Sequence, residues 1–169
     1  MTQALDALAA QMLNAAKAAG ADAADAMAVR GTSLSVDVRA GKLEEAQREE
    51  GTDIGLRVFV GQRTAIVSSS DTTSRTLSEM AERAVAMARE APENPYAGLA
   101  DPAQLARDRD VEALELFDPS DEPAPADLQE DAAQAEAAAL EVQGISQVQS
   151  ASAGYGARDI FIAGSNGFA

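Results

Sequence analysis

The first regular pattern in the chain is a set of apolar residues at helical spacing near the N-terminus. They recur at the i, i+3, i+4 and i+7 positions typical of one face of an amphipathic helix: Leu5, Leu8, Ala9, Met12, Leu13 and Ala16. Gly20 follows, and glycine readily adopts the left-handed conformation that ends many helices. The pattern therefore predicts a helix over residues 2–19.

Alternation of apolar and polar residues follows this helix. Residues Ala23–Arg30 and Thr32–Arg39 predict two strands, and the second alternates strictly between apolar and polar side chains. Ala40–Gly41–Lys42 predicts a turn. The segment Leu43–Glu50 has a weaker pattern, and two interpretations stay open: a third strand or a helical turn.

A second clean alternation begins at Ile54. The apolar positions Ile54, Leu56, Val58 and Val60 share one strand face, whereas Gly55, Arg57 and Phe59 lie on the reverse face. Gly61–Gln62 matches a two-residue hairpin turn that begins with glycine, and Arg63–Ser69 completes the hairpin. The stretch Gly41–Asp71 therefore predicts an antiparallel meander with polar strand faces and tight turns.

A second helix is predicted after this meander. The residues Asp71–Ser74 are all suitable N-caps, and Thr76 with Glu79 matches a capping box. One apolar face extends along the helix: Leu77, Met80, Ala81, Ala84, Val85 and Ala88. Ala91–Pro92 ends the pattern.

The next segment is irregular. Asp101–Pro102 predicts an N-cap followed by proline at the first position of a short helical turn. The stretch LELFDPSDEPAPAD predicts a connection broken by prolines. We expect three apolar side chains to attach this connection to the core, namely Leu114, Leu116 and Phe117.

The C-terminal part predicts a helix and a hairpin. The helix spans Pro125–Val142 and is capped by Gly144. The hairpin turns near Tyr155–Gly156 and directs Ile160 and Ile162 inward. A further turn is predicted near the end of the chain, at Ser165, Asn166 and Gly167.

Together these elements predict an α+β fold. The sheet is expected to be mainly antiparallel, with five to seven strands and three main helices packed on it. Residues 1–164 are expected to form one N-terminal domain, and residues 165–169 to begin a connection to a C-terminal region. Because aromatic residues make up only 4% of the chain and alanine is frequent, we expect a core of small side chains.

The net charge of −15 excludes some classes of partner. Nucleic-acid binding takes most of its affinity from lysine and arginine, and anionic membranes attract basic segments, so neither is expected as a partner. The chain has no cysteine, and its alanine-rich start lacks the basic residues of a signal peptide. These features predict a cytoplasmic protein.

Histidine is also absent from the chain. The sequence therefore offers no imidazole for a nucleophilic triad, for general base catalysis near neutral pH or for a histidine-based zinc site. No catalytic, cofactor-binding or metal-binding residues are predicted within these residues.

Four glutamates form an acidic group that could bind a cation or supply a pair of catalytic carboxylates: Glu44, Glu45, Glu49 and Glu50. On a strand, Glu44 and Glu45 point to opposite faces, so a solvated strand face is the better interpretation. Likewise, the serines of Ser68–Ser70 have no base nearby, and helix capping or an edge-strand position explains them better.

Arg57 is the most informative basic residue. It could bind a peptide carboxylate or carbonyl, although a surface pair with Asp37 or a neighbouring glutamate is the favoured interpretation. Asp22, Asp25 and Asp53 are spaced like loop and turn residues. The glycine pairs Gly51/Gly55 and Gly154/Gly156 do not match a phosphate-binding loop.

Three longer segments are similar to a known family. They read GADAADAMAVRGTSLSVDVRAGKLEEAQREEGTDIGLRVFVGQRTAIVSSSD, LSEMAERAVAMAREAPENPYAGLADP and FIAGSNGF. From about Leu5 to Phe168 the chain resembles the N-terminal region of the TldD/PmbA family, whose members were named modulators of DNA gyrase. The sequence is more similar to the PmbA branch of the family, also called TldE, than to the TldD branch.

This resemblance implies a soluble bacterial subunit that pairs with a TldD-like partner as a metallopeptidase acting on small or unfolded polypeptides. In the family, the zinc-binding His-Glu-x-x-x-His motif belongs to the TldD-type subunit. Without histidine, no position of this chain inherits a catalytic or metal-binding role. The hypothesis is a non-catalytic domain that helps form the substrate chamber or subunit contacts, with Leu43–Glu50 open to strand addition.

Two other classes of function stay open at this point. The chain could be a free-standing acidic module that binds a basic protein partner. Alternatively, it could be an enzyme complete within its 169 residues, which would require an acid–base or metal–carboxylate pair that the sequence does not show.

Overall fold

A computed structural model describes residues 4–107 and 110–169. These residues form three α-helices and four β-strands: α1 (Leu5–Ala19), β1 (Ala23–Arg39), β2 (Lys42–Val60), β3 (Arg63–Ser69), α2 (Ser74–Glu90), α3 (Pro125–Leu140) and β4 (Ala151–Gly164). A short 3₁₀ helix spans Pro102–Gln104. The strands form an antiparallel sheet in the order β3-β2-β1-β4. The predicted α+β class is confirmed.

The strands number four rather than the five to seven predicted, because several predicted strands are continuous. β1 passes through Gly31 without a break, so Ala23–Arg30 and Thr32–Arg39 form one strand. β2 likewise joins Leu43–Glu50 to the alternating residues that follow, which excludes the helical turn. Glycine weakens a strand but does not end it when both sides are held in a sheet.

Both predicted hairpin turns are present. Ala40 and Gly41 have φ angles of 51° and 69°, as the two central residues of a type I′ turn require. Between β2 and β3, Val60 pairs with Arg63 across Gly61–Gln62, and Gly61 has a φ angle of 58°. The meander of β1, β2 and β3 therefore follows the turn chemistry of the sequence.

The described residues divide into two compact units. Unit 1 contains residues 4–30, 51–107 and 159–169, and unit 2 contains residues 31–50 and 110–158. The expectation of one domain over residues 1–164, followed by a connection at 165–169, stays a prediction.

Unit 1 has a core made by two helices and one face of the sheet. α1 packs on α2, and α2 packs on β3. The helices contribute Leu8, Ala9, Met12, Ala16, Leu77, Met80, Ala81, Ala84, Val85 and Ala88, and the strands contribute Ala24, Ala26, Ala28, Ile54, Leu56, Val58, Val67 and Ala163. Many of these side chains are alanine, as the composition predicted.

The helix ends of unit 1 follow local signals, with one correction. Gly20 takes a left-handed conformation (φ 95°) after α1, as predicted. Thr73 is the N-cap of α2, and its side chain accepts a hydrogen bond from the Thr76 N–H at 3.4 Å. The predicted capping box of Thr76 and Glu79 is wrong, because Thr76 already lies inside the first turn and Glu79 accepts a hydrogen bond from Arg75.

Unit 2 has a much smaller apolar core, in which α3 packs against β1. Its buried residues are Leu34, Val36, Val38, Leu128 and Ala132. α3 ends at Leu140 rather than Val142, and its C-cap is Glu141 rather than the predicted Gly144. Gly144 has a φ angle of 97° beyond the cap, so it turns the chain after the helix has ended.

A buried carboxylate strengthens this small core. Glu136 of α3 is only 4% exposed. Its two oxygens accept hydrogen bonds from the backbone N–H groups of Ala40 and Gly41, each at 2.7 Å. The side chain therefore fixes the turn between β1 and β2 to the helix.

The segment before α3 is not attached to the core. Leu114, Leu116 and Phe117 are 57%, 72% and 63% exposed, so the predicted attachment is wrong. Local hydrogen bonds set the path of this segment instead. Asp110 Oδ1 accepts hydrogen bonds from the backbone N–H groups of Glu112 and Ala113, at the start of a turn.

The predicted C-terminal hairpin is also wrong, because β4 is one continuous strand. A Cβ atom on Gly154 would lie 3.2 Å from the carbonyl oxygen of Leu34, so this glycine serves close packing against β1 rather than a turn. Further along β4, Ile160 and Ile162 are exposed and Ala163 is buried, the opposite of the predicted orientation. The turn at residues 165–167 is confirmed.

Candidate functional site

The acidic group of β2 is dispersed rather than gathered. All residues from Lys42 to Gly51 are exposed. Glu44 pairs with Arg39 at 3.2 Å, and Glu50 pairs with Arg48 at 2.5 Å. Each of these carboxylates therefore pairs with a surface arginine, and Arg48 is shared with Glu122.

No metal site is formed by the described residues. Among them, no three histidine, cysteine, aspartate or glutamate side chains form a group that could hold a metal ion. The full chain contains neither histidine nor cysteine, the ligands from which most structural zinc sites are built. The donor set of this chain therefore does not fit a peptidase zinc ion.

Ser69, the last residue of β3, has a structural role. Ser69 Oγ accepts a hydrogen bond from the Asp71 N–H at 3.0 Å. Asp71 in turn accepts hydrogen bonds from the hydroxyl of Thr76 and the N–H of Thr73, and these bonds hold the pKa of Asp71 below its ordinary value. The polar run organises the entry into α2.

Arg57 forms an ion pair, but its partner differs from the one predicted. Its Nε donates to both carboxylate oxygens of Asp25 at 3.1 Å, and its Nη2 donates to Oδ2 of the same residue. Asp37 instead accepts a hydrogen bond from Ser152. The hydrogen bonds to Asp25 raise the pKa of Arg57.

Asp25 was expected in a loop, as were Asp22 and Asp53, yet Asp25 and Asp53 lie on strands. Only Asp22 serves a turn, where its carboxylate accepts a hydrogen bond from the Gly61 N–H at 2.7 Å. The alternation of buried Ala24, Ala26 and Ala28 around Asp25 is the sequence signal that places its side chain on the reverse face of a strand.

The Arg57–Asp25 pair lies at the edge of a pocket in unit 1 with a volume of about 350 Å³. The reverse face of the sheet supplies one wall, which includes Ile162 as well as the ion pair. A second wall is the loop that contains Leu99 and Leu105, and a third is the turn that ends with Phe168. The pocket therefore combines apolar walls with one ion pair.

A side-chain hydrogen bond holds two of these walls together. Asn166 Nδ2 donates to the carbonyl oxygen of Ala100 at 2.9 Å, which joins the C-terminal turn to the loop. A Cβ atom on Gly164 would lie 2.5 Å from the side-chain oxygen of Asn166, so any larger residue there would displace the Asn166 side chain. Arg57 also lies over the ring of Phe59, with its guanidinium carbon 5.2 Å from the ring centroid.

A second candidate feature is the first half of β2. β3 pairs with β2 from Ile54 to Val60, and the sheet order places no other described strand on that side. Residues 42–51 are exposed on both faces of the strand. A strand with an open edge can pair with an extended polypeptide.

An ion pair in unit 2 supports this exposed strand. Arg48 donates from Nε to Glu122 at 2.9 Å and from Nη2 at 3.1 Å. This two-point contact joins the strand to the segment before α3, and the hydrogen bonds from Arg48 hold the pKa of Glu122 below its ordinary value. None of the described helices is both long enough and apolar enough to cross a lipid bilayer.

Comparison with known proteins places these features in a family context. A family model described as PmbA/TldA metallopeptidase domain 1 matches residues 24–88. The chain is 32% identical over 120 residues to "Metalloprotease PmbA" of Escherichia coli O157:H7, a match that covers 71% of this chain and 26% of the relative. The chain thus spans about a quarter of the length of this relative.

Solved structures agree with the fold. A protein of Bacteroides thetaiotaomicron described as a modulator of DNA gyrase matches with a TM-score of 0.73 and 19% identity, covering 96% of this chain and 37% of that one. TldE of Thermococcus kodakarensis matches with a TM-score of 0.70 and 15% identity, covering 95% of this chain and 35% of that one. At these identities the likeness concerns the fold alone.

Proposed function

Because the chain belongs to the TldD/PmbA family, as its N-terminal region, we propose that it is the non-catalytic N-terminal domain of a metallopeptidase subunit. In this role it helps to form the substrate chamber or the subunit contacts for proteolysis of small or unfolded polypeptides. Zinc and the hydrolytic residues belong to a TldD-like partner subunit, since this chain contains neither histidine nor cysteine.

The observation that carries this proposal is the open half of β2. Over residues 42–51 both faces are exposed, and the edge away from β1 has no described strand beside it. Backbone N–H and C=O groups on such an edge can pair with any extended chain, because main-chain hydrogen bonding does not depend on side-chain identity. A folded globular substrate presents few unpaired backbone groups, so the edge selects unfolded polypeptides.

Charge adds a second selection. The exposed side chains of this half-strand include the four glutamates of the acidic group, and only two of them pair with arginine within the described contacts. Like charges placed opposite one another destabilise a pair of strands. The edge therefore disfavours acidic polypeptides and tolerates neutral or basic ones, and its charge also limits self-association.

A subunit-contact role is the other form of the same proposal. An exposed strand edge can accept a strand of the TldD-like partner in the same way as it accepts a substrate. The two forms predict different ligands for one surface. They are distinguished by whether an unfolded polypeptide or the TldD-like subunit protects the backbone amides of the edge from exchange.

Hydrogen–deuterium exchange tests both forms. The 169-residue chain is exchanged alone, with an unfolded polypeptide such as reduced β-casein, and with a TldD-like subunit. Slower exchange of the amides in residues 43–53 with the unfolded polypeptide supports the substrate role. Slower exchange only with the TldD-like subunit supports the contact role.

The buried half of β2 supplies an internal control. Amides of Ile54–Val60 are already paired with β3, so their exchange should not respond to either ligand. Unchanged exchange throughout residues 43–67 with both ligands would eliminate strand addition at this edge.

A second candidate function is an acidic binding module with no enzymatic role. It is favoured by the segment before α3, where exposed Leu116 and Phe117 are flanked by acidic residues. This function predicts salt-sensitive binding of a lysine-rich peptide that is weakened by Phe117→Ser. Binding unaffected by salt and by this substitution would exclude it.

A further inference from the structure

We propose that the pocket of about 350 Å³ in unit 1 binds one apolar side chain of an extended polypeptide, and that Arg57 donates a hydrogen bond to a backbone carbonyl oxygen of that polypeptide. The choice of a polypeptide as the ligand rests on the proposed function. The pocket itself is defined by residues of unit 1 and does not include the open half of β2.

The walls of the pocket favour an apolar group. Leu99, Leu105 and Ile162 line it, and Ile162 is 44% exposed, so apolar surface remains available for burial. Ligand sites of about 300 to 1,000 Å³ are commonly lined by apolar side chains with a few polar groups that set orientation. The volume is at the lower end of this range, which leaves room for one side chain of leucine or methionine size together with part of the adjoining backbone.

The free donors of Arg57 supply the polar contact. Its three hydrogen bonds to Asp25 use Nε and Nη2, so Nη1 does not take part in them. The side chain of Arg57 is 44% exposed, and the pair holds the guanidinium in one orientation at the pocket wall. A fixed guanidinium loses less side-chain entropy when it binds an oxygen.

The neighbouring Asp25 decides which oxygen is preferred. Its carboxylate already compensates the charge of Arg57, and the chain as a whole carries a net charge of −15. A ligand carboxylate at Nη1 would therefore be repelled by Asp25 without the full attraction of an unpaired cation. A neutral backbone carbonyl accepts the same hydrogen bond without this repulsion, so the pocket is suited to the interior of a chain rather than to its C-terminus.

Titration with short peptides, followed in ¹⁵N–¹H spectra of the 169-residue chain, tests the proposal. The probe is the acetylated, C-terminally amidated peptide Gly-Ser-Leu-Ser-Gly, and the reference peptide has glycine in place of leucine. We expect the leucine peptide to shift the amide signals of Gly98 and Gly164, both of which line the pocket. Equal shifts with the reference peptide, or none at millimolar concentration, would overturn the proposal.

Two isoleucines on β4 provide a matched pair of variants. Ile162 lines the pocket and Ile160 does not, yet both are exposed and neither change should disturb folding. Ile162→Asp should weaken binding of the leucine peptide by about tenfold or more, because the apolar contact is lost. Ile160→Asp should change it by less than about twofold. Equal effects of the two substitutions would show that the pocket is not the binding site.

Arg57→Lys tests the polar half. Lysine keeps the positive charge beside Asp25 but has no equivalent of Nη1, the donor proposed to bind the peptide carbonyl. Binding of the leucine peptide should therefore weaken by about fivefold. The truncated peptide acetyl-Gly-Ser-Leu with a free C-terminal carboxylate should bind no more tightly than the same truncated peptide with a C-terminal amide. Tighter binding of the free acid would overturn the carbonyl assignment in favour of a carboxylate site.

The outcomes separate this inference from the proposed function. Ile162→Asp should leave the exchange of residues 43–53 in the presence of β-casein unchanged. Peptide-induced shifts at Gly98 and Gly164 without protection of the strand edge would support the pocket and contradict strand addition. Protection of the strand edge without these shifts would support strand addition and contradict the pocket.

Discussion

The two units of this chain are stabilised in different ways. Unit 1 has an extended apolar core in which α1 and α2 cover one face of the sheet. The described core of unit 2 is confined to a few side chains between α3 and β1. Its polar contacts are correspondingly prominent, and they include the buried Glu136 and the ion pair of Arg48 with Glu122.

This difference shows how one strand can serve two purposes. The second half of β2 contributes Ile54, Leu56 and Val58 to the core of unit 1. The first half of the same strand is exposed on both faces. A segment that contributes little to burial is free to carry side chains and a backbone edge suited to a partner, and the first half of β2 has this character.

The largest expected effect is on the core of unit 1. Leu56 is 1% exposed, and Leu56→Ala should lower the free energy of unfolding by about 3 kcal/mol, because it removes buried apolar surface and leaves a cavity. Urea denaturation followed by circular dichroism measures this change.

Ile66 is the matched control for this substitution. It lies on the same sheet but is 65% exposed, so Ile66→Ala should change the free energy of unfolding by less than about 0.5 kcal/mol. A cost for Leu56→Ala as small as that of the control would mean that unit 1 does not depend on this core, and the contrast between the units would fail.

The second effect concerns the polar contacts of unit 2. Glu136→Ala removes the acceptor of two backbone N–H groups, so it should destabilise the turn at Ala40–Gly41 by about 2 kcal/mol. Glu136→Gln keeps one acceptor oxygen and should cost about half as much. Amide hydrogen exchange at Ala40 and Gly41 reports the loss locally.

Glu130→Gln serves as the control on the same helix. Glu130 is exposed, and its carboxylate accepts a hydrogen bond from Gln134, one turn further along α3. Its substitution should leave the exchange of both turn amides unchanged. If Glu136→Ala also left them unchanged, the buried carboxylate would not be what stabilises the turn.

A smaller effect is expected where β4 packs on β1. A Cβ atom on Gly154 would approach the Leu34 carbonyl to 3.2 Å, whereas one on Gly156 would lie 3.9 Å from the Thr32 carbonyl. Gly154→Ala should therefore cost about 1 kcal/mol in thermal or urea unfolding. Gly156→Ala should be neutral or stabilising by about 0.5 kcal/mol, because alanine restricts the unfolded chain. Equal costs would contradict the close packing at Gly154.

The successful sequence predictions rest on patterns that are local. The buried face of α2 and both hairpin turns follow from spacing within a few residues, and the structure reproduces them. The boundary of α3 was overestimated by two residues, because Val142 continues an apolar pattern although the helix has already ended at Leu140.

The failures needed information about neighbouring strands. In β4, apolar residues occupy both phases of the alternation, so sequence alone could not decide that Ala163 is buried and Ile162 exposed. The partner of Arg57 is 32 residues away on β1, and its identity follows only from strand order. The pocket was missed for the same reason, since its walls come from distant parts of the chain.

The smallest expected effect is the pH dependence supplied by Asp71 at the start of α2. Hydrogen bonds from Thr76 and Thr73 lower its pKa in the folded chain below the ordinary value of 3.8. A carboxylate with a lowered pKa stabilises the fold above the unfolded value and loses that contribution as the pH falls through the folded value. The difference in stability between wild type and Asp71→Asn should therefore be constant near neutral pH and shrink on acidification below about pH 4.

Thermal unfolding of both proteins across this range measures that difference, and subtraction removes the titration of carboxylates common to both. Asp53→Asn is the control, because Asp53 is an exposed aspartate of the same unit. The Asp71 difference should remain far smaller than the effect of Leu56→Ala, since in unit 1 a surface hydrogen-bond network adds little to a large apolar core. If the difference in stability between wild type and Asp71→Asn grew as the pH fell, the prediction would be wrong, and the folded chain would favour protonated Asp71.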